Sequence, residues 1–192
     1  MGKGRLEAFS DGVIAIIITI MVLEMKVPHG AEASQLLKLW PVFLSYLMSF
    51  VFVGIYWNNH HHLLHATRRV SAGILWANLH LLFWLSLIPF STGWMGENHF
   101  APLPTAVYGF NMLMAGVGYF VLSRVIIAAD GHAESTLSRA IGADRKGVLS
   151  LVLYFVAIPL AFLQPWVAGI LYVTVSIMWL VPDRRIERAL SE

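Results

Sequence analysis

An all-α membrane protein with six transmembrane helices is the fold class this sequence predicts, and three observations predict it. Of 192 residues, 58% are hydrophobic and 12% charged, and the mean hydropathy is +0.70, more apolar than a soluble domain that covers its core with polar surface. The apolar residues come in blocks of about 20, the length that carries a helix across roughly 30 Å of hydrocarbon. Helix-stopping residues separate the blocks, and Lys and Arg fall almost wholly in alternate loops.

The blocks place spans near residues 8–26, 39–59, 72–92, 103–127, 147–163 and 165–182, in a single domain over 1–192. Pro28 and Gly30 end the first span. The second runs inward to "YWNNHHHLLH", residues 56–65. Gly93 and Gly96, with Pro102 and Pro104, are expected to separate the third from the fourth. In the fourth, Gly109, Ala115, Gly116 and Gly118 read as a close-packing face, and Asn111 as a bond across helices. Pro165 after Gln164 makes a tight turn between the last two spans.

Six spans put both termini on one side. Every Lys and Arg except Lys26 and Lys38 falls on that side, so the positive-inside rule makes it cytoplasmic; the expected location is the cell (inner) membrane. Residues 1–28 start basic, but Glu7 and Asp11 interrupt that start and no small-x-small site precedes Pro28, so the segment is expected to stay in the mature chain. Without cysteine there is neither a disulfide framework nor a thiolate metal site. Membrane lipid is the expected surrounding, and no nucleic-acid partner is expected.

Within the first span, "FSDGVIAIIITIMVLEMKVP" at residues 9–28, Ile16, Ile20 and Leu23 fall at i, i+4 and i+7, with Thr19 on the neighbouring row. Four or more copies meeting at an axis would form an apolar Ile16 ring, with Thr19 hydroxyls about 4.5 Å further out. Branched aliphatics can gate by dewetting, and hydroxyls can replace part of an ion's hydration shell. The same spacing fits a stripe facing lipid or another helix, with Thr19 bonded to its own i−4 carbonyl. Spacing alone leaves both readings open.

Topology brings Asp11, Trp57, Asn58, His60, His61 and Asn78 to one depth, where ionisable groups are expensive and pair, so a network including Arg5, Asp11 and a histidine is expected. A second reading of these residues is a membrane-embedded metal-binding enzyme or metal transporter, using Asp11, the His60–His62 cluster and His80, with His61 and His65 spaced to share a metal. Few carboxylates accompany them, and no HExxH pattern occurs. Glu24, at the outer end of the first span, reads as a snorkelling acid paired with Lys26 or, less ordinarily, as a charge that attracts cations to an outer vestibule.

The stretch "RLEAFSDGVIAIIIT", Arg5 to Thr19, carries Arg-x-x-x-Phe-Ser-Asp at Arg5, Phe9, Ser10 and Asp11. It strongly resembles the signature of the transmembrane-protein-175 family, the lysosomal and prokaryotic potassium channels. The six-span layout, the tryptophan and histidines after the second helix, and the length extend the resemblance over essentially the whole chain.

That resemblance implies a potassium channel, modestly selective over sodium and passing other monovalent cations, with no enzymatic step, no catalytic residue, no bound metal and no cofactor beyond the permeant ion. It implies that the first helix lines a central pore, with Ile16 as the narrowest ring, a hydrophobic gate, and Ile20 and Leu23 further out. Thr19 matches a threonine that contributes to potassium selectivity. Arg5, Phe9, Ser10 and Asp11 would tie the first helix to the second and third, in agreement with the layer around Trp57, His60, His61 and Asn78. A chain with one repeat resembles the prokaryotic members that form homotetramers. The sequence holds no TVGYG run, so selection falls to side chains, and potassium sheds its water at lower cost than sodium.

Overall fold

The computed structural model describes residues 2–67, 69–129 and 144–180. Among them are eight helices and no strand. They are α1 (Lys3–Leu23), α2 (Ala33–Leu37), α3 (Trp40–His65), α4 (Ala72–Ser86), α5 (Ile88–Glu97), α6 (Pro102–Ala129), α7 (Arg145–Leu163) and α8 (Pro165–Leu180). By length and composition α1, α3, the joined pair α4 and α5, α6 and α7 can each cross a membrane, and α8 is apolar over 16 residues. The chain is a multi-pass membrane protein. The end of the sixth span at 181–182, and Arg68, Arg139, Arg184, Arg185 and Arg188 of the orientation argument, lie outside the described residues.

Local chemistry sets the element ends. Ser71 caps α4 by accepting the Ile74 N–H, and the Asp144 carboxylate caps α7 by accepting that of Gly147. Gln164 is extended before Pro165, which opens α8 as the tight turn requires. The third span breaks at Leu87, because Pro89 lacks the N–H that a continuous helix would use yet fits the first turn of a new one.

Two glycines expected as breakers lie inside a helix instead. A Cβ on Gly96 would stand 2.9 Å from the Val42 Cα and 2.3 Å from the Ser45 Oγ, so this glycine lets α5 and α3 approach closely. Gly93 faces the Glu24 side chain. The chain turns after Glu97, where His99 and Phe100 take positive φ of 52° and 58°.

Helix α6 is the hub, packing on α4, α5, α7 and α8. Its small residues serve three partners rather than one face: Gly109 makes room for the Tyr172 ring, Gly116 for Leu151 and Gly118 for the Leu81 backbone. Asn111 does bond across helices, donating to Ser91 Oγ at 3.1 Å. Outward on α7 and α8, Phe155, Phe162, Trp166, Ile170 and Ile177 are exposed, a surface suited to hydrocarbon. Helix α1 packs on α3, α4 and α5, at the edge of the bundle.

Candidate functional site

Because α1 sits at the edge, only one of its faces is covered. Leu6, Ser10, Ile14, Ile17 and Met21, at helical spacing, are buried against its neighbours. On the opposite side an unbroken exposed row runs through Phe9, Gly12, Ile16, Thr19, Ile20 and Leu23. Ile16 is 62% exposed, Ile20 42% and Leu23 76%, while Ile14 is at 0% and Ile17 at 4%. A helix apolar on both sides with one side left open has an uncovered surface of about four turns.

Thr19 lies in that open row. Its hydroxyl proton goes to the carbonyls of Ala15, at 3.0 Å, and Ile16, at 3.1 Å. Donation to the helix backbone leaves the Oγ1 lone pairs without a protein proton. An exposed oxygen of this kind can accept a hydrogen bond from water or coordinate a cation.

The buried face of α1 carries the polar layer. Ser10 Oγ donates to the Leu6 carbonyl at 2.9 Å and accepts from Asn78 Nδ2 at 3.0 Å. Asn78 Oδ1 in turn meets His60 Nε2 at 2.7 Å. Ser10, Asn78 and His60 are all buried, so α1, α4 and α3 are tied by a chain in which each member satisfies the next. Beside it Trp57 Nε1–H donates to Asp11 Oδ1 at 3.0 Å. His61 packs near the Trp57 ring at 6.2 Å and stacks on His65 at 6.1 Å.

Not every expected member joins. Arg5 and Phe9 are exposed on the open side of α1, outside the hydrogen-bonded chain. Asn58 is exposed. His80 accepts from Trp84 Nε1 at 3.1 Å, a partner on its own helix. The residues of the metal reading are thus dispersed into separate pairs: Asp11 with Trp57, His60 with Asn78, His80 with Trp84. Among the described residues no three His, Cys, Asp or Glu side chains converge to hold a metal.

One expected pair is replaced. Lys26 bonds Glu97 at 3.0 Å rather than Glu24, and that bond, with the charge of Glu97, raises the Lys26 pKa above its ordinary 10.5. The pair fastens the chain just beyond α1 to the end of α5. Sequence reasoning also missed Lys3, which donates to the His65 carbonyl and lies 4.0 Å from Glu7. It missed a buried hydroxyl cluster as well, in which Ser49 Oγ lies 2.6 Å from Thr92 Oγ1 and 3.1 Å from the Tyr108 hydroxyl. Hydroxyl residues inside apolar blocks were its signal, and α3, α5 and α6 are joined there.

Comparison with known proteins adds to this geometry. The family model described as the endosomal/lysosomal potassium channel TMEM175 matches residues 5–89. A potassium channel of Chryseobacterium sp. (strain P1-3) is 52% identical over 192 residues, covering 100% of both chains. A potassium channel of Chamaesiphon minutus is 32% identical, over 88% of this chain and 90% of its own. The crystal structure of a lysosomal potassium-selective channel TMEM175 homolog from Chamaesiphon minutus matches with a TM-score of 0.82 at 31% identity, over 94% of this chain and 97% of that one.

Proposed function

This chain belongs to the TMEM175 family, whose members are channels and not enzymes, and from that premise we propose that it conducts potassium across the cell membrane through a pore lined by copies of α1. The observation that carries the reading is the open face of α1. A membrane helix that buries one row on its own bundle and leaves Ile16, Thr19, Ile20 and Leu23 uncovered is placed to meet its counterparts in other copies.

In a homotetramer with both termini cytoplasmic, four Ile16 side chains form the narrowest ring, and Ile20 and Leu23 continue the apolar wall. An apolar neck passes an ion only after it sheds water, which favours potassium over sodium. The Thr19 oxygens then replace part of that water, their lone pairs being free because the proton is held by the helix. The chain from Ser10 through Asn78 to His60, with the Trp57 to Asp11 bond, fixes the rotation of α1 so that this row faces the axis.

The test is the reversal potential of the purified protein in a planar bilayer with potassium on one side and sodium on the other. Reversal displaced toward the potassium equilibrium potential is expected. A bilayer that stays silent at all voltages, with inserted protein verified, overturns the reading.

A further inference from the structure

Away from α1, helices α3, α6, α7 and α8 line a partly open pocket of about 50 Å³. Six aromatic residues line it: Phe52 and Tyr56 of α3, Tyr119 and Phe120 of α6, Tyr154 of α7 and Trp179 of α8. The rings are held by mutual contacts, Tyr56 on Tyr119 and Tyr119 on Trp179 edge-to-face at 6.4 Å, and Phe52 on Tyr154 at 6.3 Å. One carboxylate, Asp144, joins the lining.

The polar groups in this wall divide into two kinds. Some are used up: Asn59 Nδ2 donates to the Ile55 carbonyl at 2.8 Å, and Ser150 Oγ accepts from Trp179 Nε1 at 2.8 Å. The Tyr56 and Tyr154 hydroxyls make no hydrogen bond with any described residue. Asp144 spends one carboxylate oxygen, Oδ1, on the Gly147 N–H at 3.0 Å. Aromatic walls with a single fixed negative charge are the recognition chemistry of an organic cation, which gains from ring faces and counter-charge together. Phe120 already carries one cation in this way, the Arg124 guanidinium 4.9 Å from its ring centre.

We propose that this cavity binds small organic cations of the quaternary-ammonium class, the ammonium resting among the rings with Asp144 as its counter-ion. A lipid tail would use the apolar wall but not the carboxylate, which is why the charged occupant is the better fit. The site is separate from α1 and does not depend on conduction.

The full chain in detergent micelles is tested with choline and with 3,3-dimethyl-1-butanol, the uncharged molecule of the same shape, by equilibrium dialysis and by the change in tryptophan emission, which Trp179→Phe should abolish. Choline is expected to be retained at least about tenfold more tightly than its neutral analogue, the factor a desolvated cation–π and charge contact supplies. Asp144→Asn keeps the cap on α7, since Asn caps as well as Asp, and is expected to remove that preference without changing retention of the neutral molecule. Equal retention of the two molecules would mark an apolar crevice filled by lipid and overturn the proposal. So would retention of neither, or an undiminished preference in Asp144→Asn.

Discussion

At the scale of single residues, the proposed pore gives Ile16 and Thr19 separate parts in its neck. Replacing Ile16 by Ala removes three carbons from each of four side chains, so the neck widens and its dewetting barrier falls. Larger single-channel current is expected, with weaker discrimination among monovalent cations; unchanged current would move the constriction elsewhere. Thr19→Val keeps the shape and deletes the oxygen, so the ratio of potassium to sodium permeability should fall while current persists. Reversal potentials in mixed solutions measure it, and an unaltered ratio would place selection away from Thr19. Asn78→Leu is different in kind: it leaves the His60 ring nitrogen buried and unpaired. A loss of about 1–3 kcal/mol in unfolding stability is expected, measured by denaturation in detergent. A variant as stable as the parent would show that water replaces the amide.

At the scale of elements, close approach decides what a helix tolerates. Gly96→Ala drives a methyl against the Val42 Cα, which is backbone and cannot swing aside. Gly169 on α8 has nothing within 4 Å of the same position. The first substitution should cost about 1–3 kcal/mol, and the second should be neutral or stabilising by up to about 1 kcal/mol. Detergent melts of the two variants check this, and equal melting temperatures would count against the close α3–α5 contact. The same pair explains what was legible in the sequence. Apolar blocks and prolines marked most helices because hydrocarbon length and the missing proline N–H act locally. Whether Gly96 ends a helix or lets a neighbour in depends on Val42, 54 positions away, and no local pattern carries that. Nearness along the chain points Lys26 to Glu24, whereas the fold presents Glu97. Asp11, His60 and Asn78 were placed at one depth by topology, but their pairing, with Trp57 on Asp11 and Asn78 between Ser10 and His60, needed the rotation of three helices about their axes.

At the scale of the whole molecule, the proposed pore needs more than one chain, and the open face of α1 is the feature that supports it. Hydrocarbon would accept Ile16, Ile20 and Leu23, so apolarity by itself does not demand a partner. What hydrocarbon does not prefer is a row that also presents Gly12 and the outward oxygen of Thr19. The chain has no cysteine, so one introduced thiol reports its own surroundings without background. Ile20→Cys stands on the open face and Ile17→Cys on the covered one, at 42% and 4% exposure of the parent residues. If four copies bring α1 to a common axis, a short bismaleimide should link Ile20→Cys chains in membranes into covalent dimers and nothing larger, because each chain offers one thiol. Ile17→Cys should stay monomeric. Light scattering of the untreated protein in detergent should return four chains of 21.4 kDa after subtraction of the micelle. Equal labelling of the two thiols without crosslinks, together with the mass of one chain, would place α1 against lipid and remove the pore from this helix.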